Sequence, residues 1–154
     1  MADWKLPWDG GCRCSQTRIR VNAPPLLTSA CHCTGCQKMS SSAFSLTLTV
    51  PADGFEVVSG EPAIGGLHGP TRHFFCSWCM TWMFTRPAGM DTLVNVRASM
   101  LDDHSWFVPY VELNTSEKLP WAGTPAVKSY ATEPPVETYL ELVEHFQRDG
   151  ARPG

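Results

Sequence analysis

The chain has 154 residues, 43% of them hydrophobic, and a formal net charge of −3, which suits one domain over residues 1–154 with a core large enough to need no cross-links. Its 12 Lys and Arg residues are scattered and no block of like charge occurs, which argues against a nucleic-acid surface. There is no run of ~18 apolar residues to span a membrane, and MADWKLPWDGG lacks the apolar core and cleavage site of a signal peptide, so a cytoplasmic protein with reduced thiols is expected.

In chain order, the first strand pattern is TRIRV at 17–21. Next comes AFSLTLTV at 43–50, where Phe44, Leu46, Leu48 and Val50 alternate with Ser45, Thr47 and Thr49. Side chains of an extended chain point to alternate faces, so this segment reads as a half-buried strand. Similar runs follow in FEVV at 55–58, TWMFT at 81–85, TLVNV at 92–96 and WFVPYVEL at 106–113. Gly- and Pro-rich turn signals at 51–54, 59–62, 65–66 and 87–89 separate them, a spacing that predicts antiparallel β architecture. After Pro134-Pro135, the apolar residues Val136, Tyr139, Leu140, Val143 and Phe146 form one stripe of a helix ending near Gly150. That stripe is expected to pack on the protein's own sheet.

The seven cysteines fall into three local groups: Cys12 and Cys14; Cys31, Cys33 and Cys36; Cys76 and Cys79. A small core residue would not cluster in this way, whereas soft thiolates two or three residues apart converge readily on one zinc ion. Joining the outer pairs gives a four-cysteine site of structural type. The central trio then forms a second site, short of one ligand, which is the pattern of a working metal centre. A competing partition groups Cys33 and Cys36 with Cys76 and Cys79, leaving Cys12, Cys14 and Cys31. Iron at a four-thiolate site is the rival metal, and a disulfide framework fits neither the odd cysteine count nor a reducing compartment. With both zinc ions and seven thiolates counted, the formal charge falls from −3 to −6, further from anything that grips nucleic acid.

His32 and His73 lie beside the ligands. Either would close the trio if it turned toward the ion, but both are read as hydrogen-bonded neighbours. Trp78, Trp82 and Trp121 are read as packing residues, with substrate contact open for Trp121.

Together GGCRC at 10–14, CHCTGCQK at 31–38, FFCSWC at 74–79, MLDD at 100–103 and LPW at 119–121 resemble the glutathione-dependent formaldehyde-activating family, to which centromere protein V is also similar. The resemblance spans most of the chain. It implies a mainly β fold of antiparallel sheets like that of mammalian suppressor of Sec four, with a C-terminal helix. It also implies structural zinc on Cys12, Cys14, Cys76 and Cys79, and catalytic zinc on Cys31, Cys33 and Cys36. The implied reaction joins glutathione to formaldehyde, formally a carbon–sulfur lyase run backwards. Lys38, Arg18 and Arg72 are then candidates for the carboxylates of a glutathione-like substrate, and Trp121 for its body. The chain departs from the family pattern at Met80, directly after the last cysteine, and within Ser40-Ser41-Ser42, where glycines are usual. Against the enzyme stands a non-catalytic zinc module, chaperone-like or protein-binding. A thiol–disulfide oxidoreductase built on Cys76 and Cys79 leaves the other five cysteines unexplained.

Overall fold

The computed structural model describes residues 3–154, which form two β-sheets, two α-helices and short 3-10 turns. The small sheet is antiparallel, with β1 (Trp8–Gly11), β2 (Arg18–Val21) and β5 (Phe55–Ser59) in the order β1-β2-β5. The large sheet contains β3 (Leu27–Cys31), β4 (Ser45–Pro51), β6 (Pro62–Gly65), β7 (Arg72–Cys76), β8 (Trp82–Arg86), β9 (Leu93–Arg97), β10 (Val111–Leu113) and β11 (Lys128–Ser129). Its order is β11-β10-β3-β4-β9-β8-β7-β6. The helices are α1 (Thr34–Ser40) and α2 (Val136–Asp149). None among the described residues is long and apolar enough to cross a membrane.

The architecture is mainly β, but the large sheet is mixed, because β10 runs parallel to both β3 and β11. A strand returning after a long excursion is not bound by hairpin geometry and can join the edge in either direction. The expected strand over 106–113 shrinks to Val111–Leu113. Pro109 has no N–H for a ladder, and Trp106 leaves the sheet to pack on Trp8 with ring centres 4.9 Å apart.

The core confirms the alternation in β4 and corrects its meaning. Leu48 and Val50 pack with Ile19, Val21, Phe55, Phe84, Val94 and Val96, so one cluster seals the small sheet to the large one. The other face of β4 is also covered, since Ser45 and Thr47 are buried. That polar face carries the candidate site. A second cluster packs Leu142 and Phe146 of α2 on Leu27, Val111 and Leu113, with Trp4 beside them. The helix stripe is therefore rotated from expectation: Val136 and Leu140 are exposed, and Leu142 takes the inner position.

Gly10 explains part of the GGC signature. A Cβ there would stand 2.2 Å from the Met100 carbonyl oxygen, where β1 forms a bridge to Leu101.

Candidate metal centres

The turn after β1 carries Cys12 and Cys14, Cys76 ends β7, and the turn from there to β8 carries Cys79. These four sulfurs lie within 4.8 Å of one another, with Cys12 to Cys14 at 3.5 Å and Cys14 to Cys76 at 3.8 Å. Tetrahedral zinc–thiolate bonds of ~2.3 Å put sulfurs about 3.8 Å apart, so the cage has the right size. Its surroundings favour thiolates at Cys76 and Cys79. The Thr17 N–H points at Cys12 Sγ over 3.4 Å, and the Thr17 hydroxyl donates to Cys76 Sγ over 3.5 Å. The Thr81 hydroxyl lies 3.1 Å from Cys79 Sγ and is the main reason that this thiol is lowered to about 5. The Gln16 backbone pulls Cys14 down, but burial and hydrogen bonds shared with Cys12, Cys79 and Cys76 push it up to about 12. This centre ties the small sheet to the large one.

The second group is Cys31, Cys33 and Cys36, whose three sulfurs also lie within 4.8 Å of one another. Cys31 ends β3, Cys33 caps α1, and Cys36 sits in its first turn. The cap is the reason that the chain turns here: Cys33 Sγ accepts the Cys36 N–H over 3.3 Å, and the Gln37 N–H bonds to the Cys33 carbonyl. Glu117 fastens the turn by accepting from both the N–H and the hydroxyl of Thr34. Gln37 Nε2 donates to the carbonyls of His32 and Glu117.

The thiols of the trio compete for protons. Accepting hydrogen bonds from Cys31 and Cys36 lowers Cys33 to about 2, while Cys31 is raised chiefly by Cys33 and Cys36 chiefly by Cys31. Asn114 Nδ2 donates to Cys31 Sγ over 3.3 Å, which favours the thiolate.

No fourth His, Cys, Asp or Glu among the described residues joins this trio. His32 is fully buried, and its Nε2 is 2.8 Å from Glu112 Oε2. Glu112 also accepts from Thr124 and Ser129, with Lys118 at 3.6 Å. His73 pairs its Nδ1 with the Thr85 hydroxyl over 2.9 Å, and its ring meets Trp82 edge-on.

Two clefts flank α1. One, of about 490 Å³, is lined by Lys38 and Trp121 together with Thr34, Gln37 and Ser41, so two of the expected substrate residues come together. Arg72 lies on neither cleft, and Arg18 is held by both carboxylate oxygens of Asp102 on the small-sheet side. Trp82 is a packing residue, whereas Trp78 and Trp121 are exposed and pack little. The other cleft, of about 390 Å³, is lined by Ser40, Ser45, Met80, Trp82 and Arg97 among others.

Arg97 carries no expectation from the sequence, yet it is buried beside the trio. Its guanidinium carbon lies 4.2 Å from the Trp82 ring centre, and Nη2 reaches only the Asn95 carbonyl. Burial lowers it to about 10, with the negative charge of the Cys36, Cys31 and Cys33 cluster working the other way, so it is a cation at neutral pH. The register explains its place. Cys31 stands opposite Ser45 and Thr47 opposite Arg97, so all four share one face of the sheet.

The two departures from the family pattern fall on left-handed backbone. Met80 has φ 57° and Ser41, which caps α1, has φ 50°. Glycine enters that region freely, and other residues pay about 1–2 kcal/mol.

The sequence pattern of the glutathione-dependent formaldehyde-activating enzyme family matches residues 7–117, a span that holds all seven cysteines and Arg97. The chain belongs to this family. None of the curated proteins matches it. A crystal structure of a Rhodobacter sphaeroides protein, a structural genomics target, superposes with a TM-score of 0.50 at 19% identity, covering 61% of this chain and 87% of that one. At that identity the likeness concerns the fold. Family membership and two cysteine cages able to hold metal are thus in place.

Proposed function

We propose that the trio holds a zinc ion which accepts a substrate thiol, and that the protein makes or breaks a carbon–sulfur bond between a glutathione-like thiol and a small aldehyde such as formaldehyde. The observation that carries this reading is a set of three convergent sulfurs with no fourth ligating side chain among the described residues, beside clefts that reach solvent. The donor set fits the ion: three soft sulfurs within 4.8 Å of one another, with the buried Arg97 cation nearby to balance the anionic centre. When bound, zinc would remove the proton from an incoming thiol and fix its sulfur in place.

The chain's own residues do the rest. Cys31, Cys33 and Cys36 bind, and the Asn114 amide and the Cys36 N–H hold two of their sulfurs in position. Lys38, Gln37 and Trp121 offer a charged, amide and aromatic wall for a tripeptide thiol such as glutathione. The sulfur lone pair attacks the carbonyl carbon, the π electrons move to oxygen, and a proton completes the hydroxymethyl thioether; cleavage is the reverse. The four-cysteine cage is the structural zinc site. The reading takes the protein to be cytoplasmic, with a small thiol as its partner. A purely structural trio would draw its fourth ligand from the chain, which disfavours a non-catalytic module.

The test is exchange NMR of glutathione with formaldehyde. The zinc-loaded protein should speed formation of S-(hydroxymethyl)glutathione, and Cys33→Ser should abolish this while losing about one zinc per chain and keeping the fold. A rate equal to that in buffer alone would refute the reading.

A further inference from the structure

Two buried polar atoms on the wall of the Met80 cleft are under-partnered among the described residues: Arg97 Nε has no hydrogen-bond partner, and the Ser45 hydroxyl has only the Cys36 sulfur to turn to. Their residues are 8% and 3% exposed. Buried donors in native proteins almost always find acceptors, because leaving one unmet costs roughly 1–3 kcal/mol and more for a charged group. No carboxylate among the described residues forms a salt bridge with Arg97. The sulfurs of Cys36, Cys31 and Cys33 lie near enough to act on its charge.

We propose that Arg97 and Ser45 form a carboxylate-binding subsite beside the trio, in which one carboxylate accepts from the guanidinium edge and from the Ser45 hydroxyl. A planar guanidinium matches a two-oxygen acceptor. The pair supplies few donors for a phosphate, and the anionic trio repels a dianion more than a monoanion. Apolar Met39, Phe44 and Leu46 and polar Ser42, Thr81 and Ser99 line much of the rest of the cleft, a mixed wall that suits a small carboxylate with a partly polar body. Its volume of about 390 Å³ far exceeds what formaldehyde fills.

The carboxylate has two sources, the thiol substrate or an electrophile of the 2-oxo acid type. Assigning it to either rests on the thiol-activating reading above, but the subsite itself does not, so binding is tested apart from turnover.

The probe is acetate added to the zinc-loaded protein at constant ionic strength, with chloride as control, reading the ¹H–¹⁵N signal of the Arg97 Nε–H. Acetate should shift that signal saturably and chloride should not. Arg97→Met should weaken acetate binding, followed by calorimetry, at least about tenfold, and Ser45→Ala by a smaller factor. If Arg97→Met folds poorly, Ser45→Ala and the wild-type titration still decide. An Nε–H signal that ignores acetate, while the trio still takes up zinc and thiol, overturns the subsite and leaves the thiol reading standing. The sources separate by KM. An Arg97→Met penalty seen with glutathione but not with its glycyl ester assigns the thiol. A penalty seen with glyoxylate but not with acetaldehyde assigns the electrophile. No difference in either pair, like a silent Nε–H, counts against the proposal.

Discussion

Asn114 Nδ2 donates to Cys31 Sγ over 3.3 Å, so a residue far along the chain orients the first sulfur of the trio. Asn114 is itself left-handed, with φ 55°, a conformation that glycine also adopts without strain. Asn114→Gly should therefore keep the backbone and remove only the donor. Affinity of the trio for zinc is expected to fall about tenfold, as for other residues that orient a metal ligand, while the four-cysteine cage is unchanged. Competition with a chromophoric chelator resolves the two sites.

The four-cysteine cage joins the turn after β1 to the turn between β7 and β8. Metal binding of this kind is folding free energy. Cys76→Ser, in the most buried of these positions, should lower the melting temperature sharply and abolish two-state unfolding, whereas Cys33→Ser should change melting little. Equal melting temperatures for the two variants would contradict the division of roles.

Glu112 gives the fold a pH dependence. Burial pushes its carboxyl up, but hydrogen bonds from Ser129, His32 and Thr124, with Lys118 nearby, outweigh this and hold it at about 2 against an ordinary 4.5. A carboxyl lowered in the folded state adds stability that is full above 4.5 and lost as the pH falls toward 2. Glu112→Gln should lose about 2 kcal/mol in denaturant unfolding at neutral pH. The gap to wild type should narrow below pH 4.5.

Met80 and Ser41 hold left-handed backbone without being glycine. Met80→Gly should relieve about 1 kcal/mol of strain and open the cleft that Met80 lines. Ser41→Gly should stabilise to a similar degree, read from unfolding midpoints.

The sequence shows much of this, for reasons that also mark its limits. Cysteines cluster because knuckles bring near neighbours to one ion, so metal binding is legible in the spacing of the thiols, whereas the choice between the two partitions is made by the fold, which gathers Cys12 and Cys14 with Cys76 and Cys79. The alternation in 43–50 locates the core face of β4, since Leu48 and Val50 point into it. The same alternation misleads about the opposite face, where polar residues suggest water but Ser45 and Thr47 are buried. Strand β3 escapes a periodicity argument because LTSAC is buried at four of five positions and shows no alternation. Arg97 is invisible for another reason. Only the pairing of β9 with β4, and of β4 with β3, carries it to the face of Cys31. Register is set across the sheet and leaves no trace in a local window.

The central claim is that the trio takes one ligand from outside the chain, and ¹¹³Cd NMR of the cadmium-substituted protein tests it most directly. Two resonances are predicted, one at the position of four-thiolate cadmium and one upfield of it. Only the second should move downfield when glutathione is added, as a fourth sulfur joins. Two resonances both at the four-thiolate position and indifferent to glutathione, or a single resonance for the whole chain, would contradict the account.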